Sequence, residues 1–210
     1  MISNHLPTDY QTFIATSRYA RWIEEKGRRE TWGETVQRYT DYLHSKGINL
    51  TGQDWDDIEG AILELEVMPS MRALMTAGAA ADRDNTCIYN CSYVAVDHPR
   101  AFDEAMFILL CGTGVGFSVE RQSISQLPEI SASLADSDDL IVVQDSKEGW
   151  AKSLRKLISH LYTGDIPKWD LSKVRPAGSR LKTFGGRASG PEPLNDLFKF
   201  VVAKFKGATG

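Results

Sequence analysis

The segment LLCGTGVGFSVER, residues 109–121, constrains the fold more than any other part of the sequence. Its three glycines alternate with other residues directly after an apolar run that ends at Cys111. The run predicts a helix over 99–111, whereas the residues over 115–119 alternate as in a β-strand. The chain must therefore change from helix to strand within the glycine segment.

These glycines do not have the context of a nucleotide-binding loop. Such a loop follows a strand and opens a helix, and in the Walker type a lysine comes next. Here the helix comes first, the spacing is G-x-G-x-G, and no lysine follows. Two interpretations of Gly112, Gly114 and Gly116 remain open: a helix end with a tight turn, or a place where backbone comes close to a ligand or another strand.

Helix and strand signals interleave along the rest of the chain, with helices alone in the first 66 residues. This pattern predicts an α/β protein with a helical N-terminal region over 1–66 and a second region over 67–210. The other predicted elements are helices over 9–27, 32–46, 54–66, 145–162 and 194–205, strands over 86–96 and 168–174, and a loop over 175–193. The candidate N-terminal caps are Thr31 with Glu34, Asp97, and Asp145 with Glu148.

Composition limits the partners that the chain can have. Of its 210 residues 42% are hydrophobic and 25% charged, as in a globular protein, and the formal net charge is −4 without a basic stripe. We therefore expect no binding to a nucleic acid polymer. The first residues lack the charged and apolar regions of a signal peptide, and no apolar run is long enough to span a membrane. We expect a cytoplasmic protein that does not contact the membrane.

The three cysteines are Cys87, Cys91 and Cys111. An odd number without a secretion signal argues against a disulfide framework, and the spacing is not that of a zinc site, so we expect no metal site. On a strand over 86–96, Cys87 and Cys91 would lie about 13 Å apart at ~3.3 Å per residue, too far for a disulfide. We interpret Cys87 and Cys111 as small buried hydrophobic residues.

Taken together, six segments resemble the adenosylcobalamin-dependent (class II) ribonucleotide reductases of the monomeric, ribonucleoside-triphosphate type. The resemblance runs in order over residues 17–206, and it covers only the N-terminal part of such an enzyme. The segments are RRETW (28–32), MPSMRALMTAG (68–78), NCSYVAV (90–96), GTGVGFSVER (112–121), DSKEGW (145–150) and KTFGGRASGPEPL (182–194).

The resemblance implies a ten-stranded α/β barrel, of which this chain holds the first part after its helical region. In that family a cobalamin-derived radical passes to a cysteine on a central loop, and the thiyl radical takes the 3′ hydrogen of the ribose. Two further cysteines supply the electrons that remove the 2′ hydroxyl. Cys91 matches the first of these reducing cysteines, on the first barrel strand, with its disulfide partner far downstream.

Three further positions match substrate contacts of the family. Gly114 corresponds to a glycine whose backbone borders the substrate ribose, where a missing Cβ permits close approach. Asn90 lies beside the reducing cysteine, but alternation along the strand turns its side chain to the other face, which leaves its backbone as the contact. The family places the segment MPSMRALMTAG near the substrate, where Ser70 or Ala73 would lie, and we take Ser70 as the candidate.

The resemblance also implies cofactors and partners. Adenosylcobalamin would be bound mainly by the part beyond this chain, and a dithiol or a thioredoxin-like electron donor would reduce the disulfide. The ligands are a ribonucleotide substrate and a deoxynucleotide effector. Because only residues 131–144 separate two of the segments, we expect the inserted segment that helps to bind the effector to be short or absent.

The other catalytic groups of the family fall downstream of Gly210. We therefore expect this chain to need a C-terminal reductase polypeptide, as one half of a split enzyme or as a truncated chain. One alternative is a non-catalytic nucleotide-binding or regulatory fragment that associates with another reductase chain. A thiol oxidoreductase that uses Cys91 and Cys111 is disfavoured, because the sequence places no cationic group near either thiol.

Overall fold

The computed structural model describes residues 6–181 and 186–208, and it divides the chain into two compact units. The first unit extends to Asn90, and the second begins at Cys91. Helices and strands are mixed, which confirms the α/β class. Within the described residues the strands pair as three two-stranded sheets, and the ten-stranded barrel stays a prediction. Every helix in residues 6–181 and 186–208 is too short or too polar to cross a membrane.

The first unit is mainly helical. Its largest helix, α2 (Trp32–Ser45), begins after Thr31. The Thr31 hydroxyl accepts a hydrogen bond from the Glu34 amide, and the Glu34 carboxylate accepts one from the Thr31 amide. This capping box confirms the helix predicted over 32–46. The elements of the unit are α1 (Asp9–Ile14), a π-helical turn (Ala15–Tyr19), β1 (Trp22–Ile23), a 3₁₀ turn (Glu24–Lys26), β2 (Arg28–Arg29), α2 (Trp32–Ser45), α3 (Gly52–Leu63), α4 (Met71–Thr76), α5 (Ala79–Arg83) and a 3₁₀ turn (Asn85–Ile88).

The predicted helix over 9–27 is wrong after Tyr19. Residues 20–30 instead form a short antiparallel hairpin in which the Arg21 amide donates to the Glu30 carboxylate (2.9 Å) and the Glu30 amide donates to the Arg21 carbonyl (2.8 Å). These bonds form only because the chain turns back on itself. Tertiary pairing therefore overrides the helical spacing of the apolar residues.

The core of the first unit lies beneath α2. Trp32 and Val36 of that helix pack with Ile62 of α3 and Leu74 of α4, and all four are nearly inaccessible to solvent. The Trp32 indole nitrogen donates to the Leu63 carbonyl at 3.2 Å, so the burial of this polar atom is satisfied.

The Glu34 carboxylate gives the capping box a pH dependence. Hydrogen bonds from Arg28, Lys26 and the Thr31 amide lower its pKa, with Arg28 the largest cause. Since the folded pKa lies below the unfolded value of about 4.3, the stabilisation is complete above that value and is lost as the pH falls through the folded pKa.

We expect Glu34→Gln to lower the free energy of unfolding by about 1 kcal/mol or less at pH 7, because the ion pairs are partly exposed. The difference from the wild type should shrink as the pH falls below about 4, because the Glu34 carboxylate of the unfolded chain is protonated there while that of the folded chain keeps its charge to lower pH. Urea denaturation over a pH series measures this effect. A difference that is independent of pH would contradict the assignment.

The second unit contains two strand–helix–strand segments and a final helix. In each segment the two strands are parallel. The elements are β3 (Cys91–Ala95), α6 (Ala101–Leu110), β4 (Gly114–Ser118), α7 (Arg121–Ile124), β5 (Ala135–Val142), α8 (Lys147–Thr163), β6 (Asp165–Asp170) and α9 (Glu192–Ala208). The helix α8 packs against α6, against the β5–β6 pair and against α9, and its buried face includes Leu154, Leu157 and Leu161.

Several predicted boundaries in this unit are corrected. The N-terminal cap of α8 is Ser146, whose hydroxyl accepts from the Gly149 amide, and not Asp145, whose carboxylate accepts from Arg175 at 2.7 Å. Asp97 does not cap α6, which begins at Ala101 without a side-chain cap. Asp145 is bound to Arg175 instead of the helix, and Asp97 lies too far upstream of the first residue of α6.

Three further predictions are adjusted. Residues 131–144 contain strand β5, the strand predicted over 168–174 spans Asp165–Asp170, and the last helix extends over Glu192–Ala208. In the loop predicted over 175–193, Arg180 and Arg187 form an isolated β-bridge, and residues 182–185 of the KTFGGRASGPEPL segment lie outside the described residues.

Candidate active site on the first parallel strand pair

Cys91 is the first residue of β3, and its direct partner in the neighbouring strand is Gly114, the first residue of β4. The two residues are 23 positions apart in the sequence, and the parallel register brings their Cα atoms side by side. The structure thus joins the two residues that the sequence singled out most strongly.

One face of this strand pair is open. Because side chains alternate along a strand, Cys91 and Tyr93 share a face with Gly114 and Gly116, and all four are exposed. The side chain of Tyr93 is 68% exposed. Helix α6 packs against the same strand pair, where Ser92, Val94 and Val115 are half-buried. The open face therefore presents a thiol and a phenol beside two residues without side chains.

The glycine segment resolves into two parts. Gly112 has a φ of +82°, which favours glycine, and its amide donates to the Leu109 carbonyl at 2.8 Å, so this residue ends the helix. Gly114 and Gly116 belong to β4. A Cβ on Gly116 would come no closer than 3.7 Å to the chain, to the Ser92 carbonyl, which is an ordinary contact. The chain itself thus leaves room for a side chain at Gly116.

A hydrogen bond across the pair fixes the strand ends at Cys91. The Ser92 hydroxyl donates to the Gly114 carbonyl at 3.0 Å. This bond occupies the Gly114 carbonyl and ties the residue after Cys91 to the strand that borders it.

The other two cysteines are buried. Cys87 is fully inaccessible in the 3₁₀ turn that precedes β3, where it packs with Ala80 and Ala81. The strand predicted over 86–96 is therefore wrong in its first half, and the distance inferred from it between Cys87 and Cys91 does not apply. Cys91 is the exposed cysteine of the three, and none forms a disulfide within the described residues.

Cys111 has a cationic neighbour, contrary to the expectation from the sequence. It is 1% exposed at the C-terminal end of α6, and the Lys147 ammonium donates to its sulfur at 3.0 Å. The same ammonium lies 5.1 Å from the centre of the Phe107 ring. Lys147 is 36 positions away, so no local pattern could have indicated this contact.

Ser70 and Asn90 both belong to the first unit and are exposed. Ser70 precedes α4 and makes no side-chain capping hydrogen bond to it. Asn90 is the residue directly before Cys91. The roles expected for these two residues stay predictions.

The segment that contains Ser70 is held by a buried ionic network that the sequence did not indicate. The Arg38 guanidinium of α2 donates to the Glu30 carboxylate at 2.8 and 3.0 Å, and also to the carbonyls of Leu74 and Ala77, both at 2.9 Å. Arg21 donates to the Met75 carbonyl at 2.8 Å. Two arginines thus fix the backbone of residues 74–77 beside α2.

Metal-ligating residues do not cluster in the described part of the chain. No group of three or more histidine, cysteine, aspartate or glutamate side chains converges there. His44 packs edge-on against Trp55, and the imidazole Nδ1 of His98 accepts from the Arg100 amide at 3.1 Å. These histidines have local structural contacts.

Comparison with known proteins agrees with the motifs. Residues 124–203 match the family model of the B12-dependent ribonucleotide reductase insertion domain. An inserted segment is therefore present, with β5, α8 and β6 within the matched residues, which corrects the expectation that it is absent. That it is short stays a prediction.

Two relatives are adenosylcobalamin-dependent ribonucleoside-triphosphate reductases. The protein from Euglena gracilis is 30% identical over 91% of this chain and 29% of its own length. The protein from Lacticaseibacillus paracasei is 28% identical over 85% of this chain and 33% of its own length. The chain thus spans about one third of the length of the curated relatives it matches.

The fold agrees with the sequence relationship. A crystal structure of a B12-dependent (class II) ribonucleotide reductase superposes with a TM-score of 0.81 at 25% identity, over 94% of this chain and 37% of that one. Motifs, family model, relatives and fold all agree, so the chain belongs to the adenosylcobalamin-dependent, class II ribonucleotide reductases and corresponds to about one third of such an enzyme.

Proposed function

We propose that this chain is the N-terminal part of a ribonucleotide reductase and that Cys91 is one of its two reducing cysteines. The observation that carries the proposal is the placement of Cys91, which is exposed on the open face of β3 directly beside Gly114. A reducing thiol must reach the substrate and later a second thiol, and an exposed thiol at a strand end meets both needs.

The chemistry of Cys91 follows from the overall reduction. Removal of the 2′ hydroxyl of a ribose as water, with a hydrogen left in its place, requires two electrons and two protons. Two thiols supply both and become one disulfide. In this scheme Cys91 is one thiol, and the part of the enzyme beyond this chain supplies the other.

Gly114 and Gly116 leave space for the sugar beside the thiol. A side chain at Gly114 would extend from the strand next to Cys91, on the face that the ribose must approach. In the proposed complex the ribose lies over the two glycines with its 2′ carbon toward Cys91. The substrate contacts expected of Ser70 and of the Asn90 backbone stay predictions.

Adenosylcobalamin supplies the radical that starts the reaction when it is bound. As the resemblance to the family implies, we assign its binding mainly to the remainder of the enzyme. The disulfide formed by Cys91 would be returned to thiols by a dithiol or a thioredoxin-like donor, for which an exposed position is required.

Reconstitution tests the proposal. This chain would be mixed with a second polypeptide that carries the downstream part of a class II reductase, together with adenosylcobalamin, a ribonucleoside triphosphate and a dithiol. We expect deoxynucleotide from the mixture and none from either polypeptide alone, because a radical reaction requires its groups in one pocket.

Gel filtration of the same mixture separates the alternatives. Association without product favours the non-catalytic, regulatory fragment. If the two polypeptides do not associate and no product forms, both the reductase proposal and the regulatory alternative are contradicted.

A further inference from the structure

We propose that Cys111 and Lys147 form a redox-sensitive covalent pair, in which oxidation of the thiol leads to a sulfur–nitrogen bond between the two side chains. The inference starts from their contact: the Lys147 nitrogen lies 3.0 Å from the Cys111 sulfur. The inference does not depend on the role of Cys91, because it concerns a different cysteine. Cys111 is buried, with 1% of its surface exposed, whereas Cys91 is exposed.

The surroundings hold the lysine nitrogen against the sulfur. Cys111 ends α6 and Lys147 begins α8, and these two helices pack together in the second unit. The Phe107 ring lies 5.1 Å from the lysine nitrogen, and its face attracts the cation. A second contact between the helices, from Arg155 to the buried Asp103 at 2.6 and 3.0 Å, keeps them in register.

Burial decides which products the sulfur can form. A thiolate next to an ammonium group is the nucleophilic form of cysteine. With 1% of its surface exposed, Cys111 leaves no room for a bulky thiol such as glutathione, and the oxidant of the proposal is a small molecule, hydrogen peroxide. The nearest nucleophile for an oxidised Cys111 is therefore the Lys147 amine.

The reaction has two balanced steps. In the first, the Cys111 thiolate attacks hydrogen peroxide, the oxygen–oxygen bond breaks, and the Lys147 ammonium protonates the leaving hydroxide, so that sulfenic acid, one water and a neutral lysine amine form. Sulfur is oxidised by two electrons and the peroxide is reduced. In the second, the neutral Lys147 amine attacks the sulfenic sulfur, the sulfur–nitrogen bond forms, and the hydroxyl leaves with an amine proton as water. Condensation of sulfenic acids with nitrogen is known cysteine chemistry.

The link would join Cys111, at the end of α6, to Lys147, at the start of α8. Cys111 lies three residues before Gly114 in the sequence. A dithiol would cleave the link, with return of the thiol and the amine. The link between Cys111 and Lys147 would thus form under oxidising conditions and would be cleaved by a dithiol, the kind of reductant that the proposed enzyme uses.

Mass spectrometry of the purified chain tests the proposal. The chain would be treated with hydrogen peroxide, its remaining thiols alkylated under denaturing conditions, and its peptides mapped. We expect the peptides with Cys111 and Lys147 to be joined, with a mass two hydrogen atoms below their sum, and to separate after dithiol treatment. Cys87, equally buried but without a contact to a lysine amine within the described residues, is the internal control and should stay unlinked.

A matched pair of variants tests whether the nitrogen atom of the link comes from Lys147. Lys147→Arg keeps the charge but removes the amine and should abolish the link, whereas Lys152→Arg, an exposed position on the same helix, should leave it. The proposal is overturned if wild-type Cys111 is recovered as a free thiol, as sulfinic acid or in a disulfide, or if the link contains an additional oxygen atom.

Discussion

Replacement of Cys91 by serine is expected to stop multiple turnover in the reconstituted reductase. A serine hydroxyl cannot form a disulfide, so the two electrons that remove the 2′ hydroxyl are no longer available from the thiol pair. Deoxynucleotide should fall to the level seen without a dithiol. Cleavage of adenosylcobalamin should persist, because Cys91 has no part in that step, and absorbance spectroscopy of the cobalamin follows it separately.

Cys111→Ala is the matched control for this prediction. Cys111 is a cysteine of the same unit that lies away from the open face of β3, and its variant should retain multiple turnover. Normal multiple turnover by Cys91→Ser would refute the assignment of the reducing cysteine. Loss of turnover in both variants would point instead to the pair of thiols, Cys91 with Cys111.

The largest effect on stability is expected at Glu30. Its carboxylate is 8% exposed and accepts hydrogen bonds from Arg38, from the Thr35 hydroxyl at 3.1 Å and from the Arg21 amide. Glu30→Gln removes the charge and leaves the Arg38 guanidinium, whose side chain is 19% exposed, without its counter-ion. Because the guanidinium is only partly buried, we expect a cost of about 2–3 kcal/mol, below the ~3–5 kcal/mol of a fully buried pair but a large part of the stability of an ordinary domain. Urea denaturation of the purified chain measures it.

Glu25→Gln makes the same chemical change at an exposed position nearby. It should alter the free energy of unfolding by no more than about 0.5 kcal/mol. If the two variants have the same denaturation midpoint, the ionic network does not stabilise the first unit as we infer.

Local signals in the sequence predicted helices well and strands less well. Thr31 and Glu34 form a capping box within four residues, so a short window contains the whole interaction and the predicted helix is confirmed. The run over 86–96 has strand-forming residues throughout, but Cys87 is needed in the core of the first unit, and the Asp84 side chain accepts from the Thr86 amide to begin a turn. Burial and a side-chain hydrogen bond outweigh strand propensity there.

The candidate site depended on a resemblance more than on residue pattern. Cys91 and Gly114 had no common signal in the sequence until their motifs were compared with a family, and their pairing in parallel strands became visible only in the fold. The contact between Cys111 and Lys147 had no signal at all, since the two residues are distant in sequence and meet through helix packing. Long-range contacts of this kind cannot be read from periodicity or propensity.

The bonds from Arg38 to the carbonyls of Leu74 and Ala77 also have a consequence for the order of folding. A carbonyl buried without a donor is costly, so the backbone of residues 74–77 gains its native stability only when α2 presents the guanidinium. Helix α2 carries its own capping box and can begin to form early. We therefore expect the segment after Ser70 to become ordered after α2, because Arg38 of that helix donates the hydrogen bonds that the backbone of residues 74–77 requires.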